Sequence, residues 1–156
     1  MAERLEQTLE STAPELVVLY AASVDARRAT GPAGAWRSVD EIALEVGRLL
    51  DRVSDLRPEA RTLLLGLIPE TESRGDVPRR IMGLNQRLAA LTRSRAGVRF
   101  VETTRPPLVE ARLDEQRAPA LVEDYSSDHI HLGSRGYRIL EQWLLTEPWL
   151  GASETD

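Results

Sequence analysis

The stretch SSDHIHLGSRGY, Ser126–Tyr137, places an aspartate three residues before a histidine on a polar segment that runs into a helix. A carboxylate that accepts the imidazole Nδ1–H fixes the tautomer and leaves Nε2 free as a general base. The spacing lets Asp128 and His131 turn toward one point from a single loop. Two plainer readings stand beside this one. Asp128 can cap the following turn with His131 merely packed against it. Alternatively, His129 and His131 alternate in an extended segment near Asp124 and Asp128, a pattern that could hold a metal. Only two histidines and no cysteine occur in the chain, so neither a metal nor any other cofactor is expected.

The elements that must position this segment follow from hydrophobic periodicity. Residues 2–12 read as a short helix with Leu5 and Leu9 on one face, ended before Pro14. ELVVLYAA is an almost continuous apolar run of strand length, as expected of a parallel strand covered on both faces. The Gly/Pro-rich stretch Ser23–Trp36 reads as loop. At Ser38 the pattern S-x-x-E, with Glu41, signals a capping box opening a helix whose apolar positions are Ile42, Val46, Leu49, Leu50 and Val53. RTLLLGLIP is a second buried strand, Pro69–Val77 a loop, and RRIMGLNQRLAALTRSR a second long helix. GVRFVETT is a third strand, less apolar and nearer an edge. Arg105–Asp124, with its prolines, reads as loop with a helical turn or two, and a last helix spans about Ser134–Thr146. Strands alternating with helices predict parallel βαβ units with helices on both faces, and sites in such sheets lie beyond the carboxyl ends of the strands. The segments Ser23–Trp36, Pro69–Val77 and Thr103–His131 fall there.

Composition fits one globular domain, residues 1–150, followed by a frayed tail at 151–156. Hydrophobic residues make up 42% of the chain and charged ones 29%, which argues against wholesale disorder. A net charge of −5, with the arginines scattered, argues against a concentrated phosphate-binding face, so no nucleic-acid partner is expected. Without cysteine there is neither a disulfide nor a thiolate nucleophile. No apolar run is long enough to span a bilayer and the N-terminus lacks an apolar signal region, which makes a cytoplasmic location the default expectation.

Four segments, in order, resemble the C-terminal two-thirds of the SGNH (GDSL-like) hydrolases, a flavodoxin-like α/β family of esterases, lipases and acylhydrolases. They are APELVVLYAASVDARR, LRPEARTLLLGLIP, IMGLNQRLAALTRSRAGVRFVE and SSDHIHLGSRGYRIL, the last matching the family's D-x-x-H block followed by Gly-Tyr and a helix. The resemblance implies a three-layer fold, a parallel sheet between helices, with Asp128 and His131 as the remnant of a catalytic triad. It also implies what is lacking. The nucleophilic serine of a Gly-Asp-Ser block and the following glycine block have no counterpart, so the N-terminal strands of the fold are expected to be missing. In the oxyanion loop, Ala22 stands where the family has glycine and Val24 where it has asparagine, flanked by Ser23 and Asp25. Of the possible replacement nucleophiles, Ser23 lacks a nucleophile-elbow context, and Ser126 and Ser127 lie too near Asp128 in sequence to face His131 in line.

The expectation is therefore an acylhydrolase domain that keeps its general base and is inactive alone. A small ester or acylated carbohydrate is the substrate class the family suggests. The alternatives are a non-catalytic binding module and a fragment completed by upstream sequence or a second chain. The run at 16–22, deprived of its family neighbour, is expected to be an unprotected edge that self-associates or binds a complementary polypeptide.

Overall fold

A computed structural model describes residues 2–28, 34–71, 76–111 and 119–147. They divide into two compact units, Met1–Leu67 with Arg79–Glu102, and Ile68–Pro78 with Thr103–Asp156.

In the first unit, helix α1 (Ala2–Thr12) buries Leu9 against Val17 and Val53, with Leu5, Leu19 and Leu56 packed around them. Its last carbonyls are not left bare. The Arg57 guanidinium donates to the Leu9 carbonyl at 2.6 and 2.9 Å and to that of Glu10 at 3.1 Å. Strand β1 (Leu16–Leu19) pairs in parallel with β2 (Arg61–Leu65), and β2 pairs in parallel with β3 (Val98–Val101), in the order β1-β2-β3.

Between β1 and β2 run a short helix, α2 (Ser23–Arg27), and the long α3 (Val39–Leu56). The capping box at its start is complete: Ser38 Oγ accepts from the Glu41 N–H at 3.1 Å, and the Glu41 carboxylate accepts from the Ser38 N–H at 2.7 Å. Helix α4 (Val77–Thr92) joins β2 to β3 and buries Ile81, Leu84 and Leu88. The parallel sheet with its helices is the α/β architecture that the alternating pattern implies.

Two local expectations need correction. The stretch from Ser23 is not loop throughout, because α2 occupies its first five residues. Nor is β1 covered on both faces: Val17 is buried, but Val18 is 45% and Tyr20 47% exposed. In β2, by contrast, Thr62–Leu65 are all buried. An interior strand and an edge strand can carry the same apolar run. The pairing, not the run, decides which is which, and among the described residues β1 pairs only with β2.

The second unit holds a further correction. Arg105–Asp124 is not simply loop, since β4 (Val109–Ala111) and β5 (Pro119–Leu121) form an antiparallel pair. Its warrant is burial: Val109 lies opposite Leu121, and both are buried beside Leu108. Pro119 stands at the first position of its strand, where proline is tolerated. A 3-10 turn (Glu123–Tyr125) leads to the Asp–His segment, and α5 (Ser134–Leu145) follows it. The tail at 151–156 lies outside the described residues, as do residues 72–75 of the loop before α4. Among the described residues no helix is long and apolar enough to cross a membrane.

Candidate active site

Residues 126–132 fold into a closed turn. Ser126 and Leu132 form an antiparallel bridge, the Ser127 N–H donates to the His131 carbonyl at 3.0 Å, and the Gly133 N–H donates to the Tyr125 carbonyl at 2.8 Å. Inside it, Asp128 divides its oxygens between two tasks. Oδ1 accepts from the backbone N–H of Ile130 at 3.1 Å and of His131 at 2.7 Å, which shapes the turn. Oδ2 lies 2.7 Å from His131 Nδ1. Capping and orientation, posed by the sequence as rivals, are thus performed by one carboxylate.

The hydrogen bond from the His131 ring, followed by those from the two backbone N–H groups, lowers the Asp128 carboxyl from its ordinary 3.8 to about 2. Ionised at any working pH, the carboxylate can only accept, so the proton between the two side chains sits on Nδ1. In the neutral ring Nε2 then carries the lone pair, and the His131 side chain is 70% exposed.

The serines of the segment do not face that nitrogen. The Ser126 hydroxyl donates to the His131 backbone carbonyl at 3.1 Å, and the Ser127 hydroxyl to the same carbonyl at 3.4 Å. His129 does not converge with His131 on a metal site either: its Nδ1 is bonded to the Thr71 hydroxyl at 2.9 Å. Among the described residues no group of three or more His, Asp or Glu side chains gathers as a ligand set.

Ala22–Asp25 belongs to the first unit, and the Asp128–His131 turn to the second. Ala22 has φ 69° and ψ 9°, the left-handed region, and precedes α2. That backbone explains why a glycine suits the position, because a Cβ there meets the neighbouring carbonyl. Ser23 accepts hydrogen bonds from the Arg27 guanidinium, through its hydroxyl and, at 3.2 Å, its carbonyl. Asp25 braces the segment, 3.6 Å from the Arg37 guanidinium, which also grips Glu45 at 2.6 Å. Val24 is exposed, and its side chain has no polar atom to offer.

A cavity of about 330 Å³ opens beside this segment, lined by Ala21, Ala22, Ile42, Val46 and Leu49, with Asp25, Glu45, Arg48 and Arg52 as its charged members. Trp36, Arg27 and Arg28 are not among its lining. Trp36 instead carries the Arg80 guanidinium 4.6 Å from its ring centroid.

Two structural residues escape a reading for chemistry. Asn85 on α4 is fully engaged with the backbone of Leu67, and Gly136 on α5 lets the helix approach Tyr125. The glycine had a signal in the Gly-Tyr pair after the histidine. For Asn85 only the N-x-x-L spacing on the helix pointed to it.

The sequence matches the model of the GDSL-like Lipase/Acylhydrolase family over residues 1–139. The fold is similar to that of a Streptococcus pneumonia protein assigned as a platelet activating factor, at 20% identity and a TM-score of 0.68, covering 93% of this chain and 66% of that one. It is similar also to a serine-to-alanine mutant of an acetyl esterase with acetate ion, at 16% identity and a TM-score of 0.60, covering 96% and 66%. A carbohydrate esterase family 3 structure from Talaromyces cellulolyticus matches at 16% identity and a TM-score of 0.59, covering 98% and 70%. The chain thus spans about two thirds of the length of the structures it matches. Among curated proteins no sequence match is found.

Proposed function

The chain belongs to the GDSL-like lipase/acylhydrolase family, and from that premise we propose that its 156 residues carry the general-base half of an ester-hydrolase site and lack the nucleophile half. The observation that carries the reading is the 2.7 Å contact between Asp128 Oδ2 and His131 Nδ1. In this scheme His131 Nε2 takes the proton from an attacking hydroxyl, the Asp128 carboxylate stabilises the imidazolium, and the proton passes to the departing alkoxide.

What is wanting is the hydroxyl. The sequence contains no Gly-Asp-Ser, the Ser126 and Ser127 hydroxyls donate to the His131 backbone carbonyl, and the Ser23 hydroxyl accepts from Arg27. Val24 stands where the resemblance calls for an oxyanion-binding asparagine, and one such donor is worth about 3–4 kcal/mol to a transition state. The domain by itself is accordingly a weak catalyst, a pseudoenzyme, or part of a longer assembly. The substrate class is a small ester or acylated carbohydrate, which the esterases among the matched folds support.

The test is hydrolysis of 4-nitrophenyl acetate by the purified chain, compared with an equal concentration of imidazole. The expected rate is no greater than that of imidazole. A rate higher by about a hundredfold, the scale of one working general base, and abolished by His131→Ala, would contradict the proposal.

A second reading, completion by another polypeptide or by a second copy, is favoured by β1. Its outer edge is unpaired among the described residues, its Val18 and Tyr20 stand half exposed, and the stretch 16–22 carries no charge or proline to repel another strand. Sedimentation of the purified protein at micromolar concentration distinguishes the cases. A dimer, a complex or aggregation fits completion, and a stable monomer with a cooperative thermal transition contradicts it.

A further inference from the structure

We infer that Thr71 and His129 are positioning residues that hold the Asp128–His131 turn closed; the inference rests on reading His131 as the base. Asp128 and His131 are both exposed, their side chains at 52% and 70%, so water competes for each half of the pair. The bond between them persists only while the backbone from Asp128 to His131 stays folded. Most of the bonds that fold it are internal to the turn. Thr71, 58 residues earlier, supplies two that are not.

Its N–H donates to the His129 carbonyl at 3.0 Å, and its hydroxyl is bonded to the His129 ring at Nδ1, 2.9 Å away. Thr71 is a firm anchor, 2% exposed. The preceding Glu70 carbonyl accepts from the Leu121 N–H of β5 at 3.3 Å, so the clamp reaches from an antiparallel strand to the turn. All of these residues lie within the second unit.

The backbone of His129 shows why a clamp is needed. Its φ of 70° is left-handed, a conformation that a residue with a Cβ adopts only when its surroundings over-determine it. Pinned on both its carbonyl and its ring, His129 is over-determined by Thr71. Released, it would relax toward negative φ, and the N–H groups of Ile130 and His131 would swing off Asp128 Oδ1. The carboxylate would then lose the orientation that presents Oδ2 to the imidazole.

The experiment is nitrogen-15 NMR of the histidine rings at alkaline pH, where the tautomer ratio of neutral His131 reports its bond to Asp128. In the native chain His131 should carry its proton mainly on Nδ1. Thr71→Val, nearly isosteric with threonine, should shift the ratio toward Nε2–H by about threefold, the scale of one neutral hydrogen bond. Thr71→Ser should restore the native ratio.

His129→Ala, at an exposed residue, removes the ring bond but keeps the strain of a Cβ at left-handed backbone, and should act like Thr71→Val. The double variant should go no further than either single one, because both remove one bond. Native ratios in Thr71→Val and His129→Ala, or effects that multiply in the double variant, would overturn the clamp. A native His131 found mainly as Nε2–H would instead defeat the reading of His131 as the base, whatever Thr71 does.

Discussion

Asn85 closes both backbone groups of Leu67 just beyond the end of β2: Oδ1 accepts from the Leu67 N–H at 2.7 Å, and Nδ2 donates to the Leu67 carbonyl at 2.9 Å. The amide acts as a short piece of strand, supplying one acceptor and one donor where the sheet has run out. Both residues are buried, at 2% and 0% exposure, so nothing else can satisfy those groups cheaply. Asn85→Ala should cost about 3 kcal/mol, from two buried groups left unpaired. Asn85→Asp should be no milder, because it removes the donor and buries a charge. Urea denaturation of the three proteins gives the comparison, and an Asn85→Ala change smaller than 1 kcal/mol would mean that water reaches Leu67 freely.

Ala22 holds a left-handed backbone without being glycine. Ala22→Gly should therefore stabilise the chain by roughly 0.5–1 kcal/mol, the strain relieved less the extra chain entropy glycine brings. Ala26→Gly, at a buried helical position one turn on, should destabilise it instead. Thermal denaturation of the two variants checks the opposite signs.

Gly136 faces the Tyr125 carbonyl so closely that an added Cβ would lie 2.6 Å from its oxygen and 2.9 Å from Leu132 Cδ2. One of these contacts is backbone, which cannot step aside as a side-chain tip can. Gly136→Ala should cost roughly 1–3 kcal/mol. It should also loosen the Asp–His turn, because that same Tyr125 carbonyl accepts from Gly133. A melting temperature equal to that of the native chain would show that α5 can shift away without penalty.

Acid should open the turn late. The hydrogen bond from His131 holds the Asp128 carboxyl at about 2 in the folded chain, against an ordinary 3.8. A carboxyl depressed by folding lends its stabilisation in full above its ordinary value and loses it as pH falls through the folded one. The turn should accordingly be intact above pH 3.8 and fail toward pH 2. Carbon-13 NMR of the Asp128 carboxyl measures this directly, and His131→Ala should return its midpoint toward 3.8. An unchanged midpoint in that variant would deny the side-chain bond.

What could be read from the sequence was local. The capping box of Ser38 and Glu41 lies within one helical turn, and the Asp128–His131 pair within one loop, so type and spacing were enough to find both. The runs that became β1, β2 and β3 were legible as strands because burial leaves an apolar composition. Which edge of β1 lacks a neighbour is a property of pairing: the run LVVL carries no trace of it, and only the resemblance, with its missing strands, pointed to an open edge. The β4–β5 pair was hidden because its prolines spoke for loop, and its partners, Val109 and Leu121, lie far apart in sequence. Asn85 with Leu67, and Thr71 with His129, are likewise contacts made by the fold. The N-x-x-L spacing marked Asn85 but not its partner Leu67, and neither Thr71 nor His129 had a signature for their contact.

The most direct measurement of whether these residues hold a general base without a nucleophile is labelling of the purified chain by a serine-directed fluorophosphonate, read by mass spectrometry. Ser126 and Ser127 are bonded to the His131 carbonyl and Ser23 is engaged by Arg27, so none of these three lies activated, and the expected mass is that of the unmodified protein. One label per chain, lost in His131→Ala and retained in a control substitution such as Gln86→Ala on the exposed side of α4, would show that a working nucleophile sits within reach of His131.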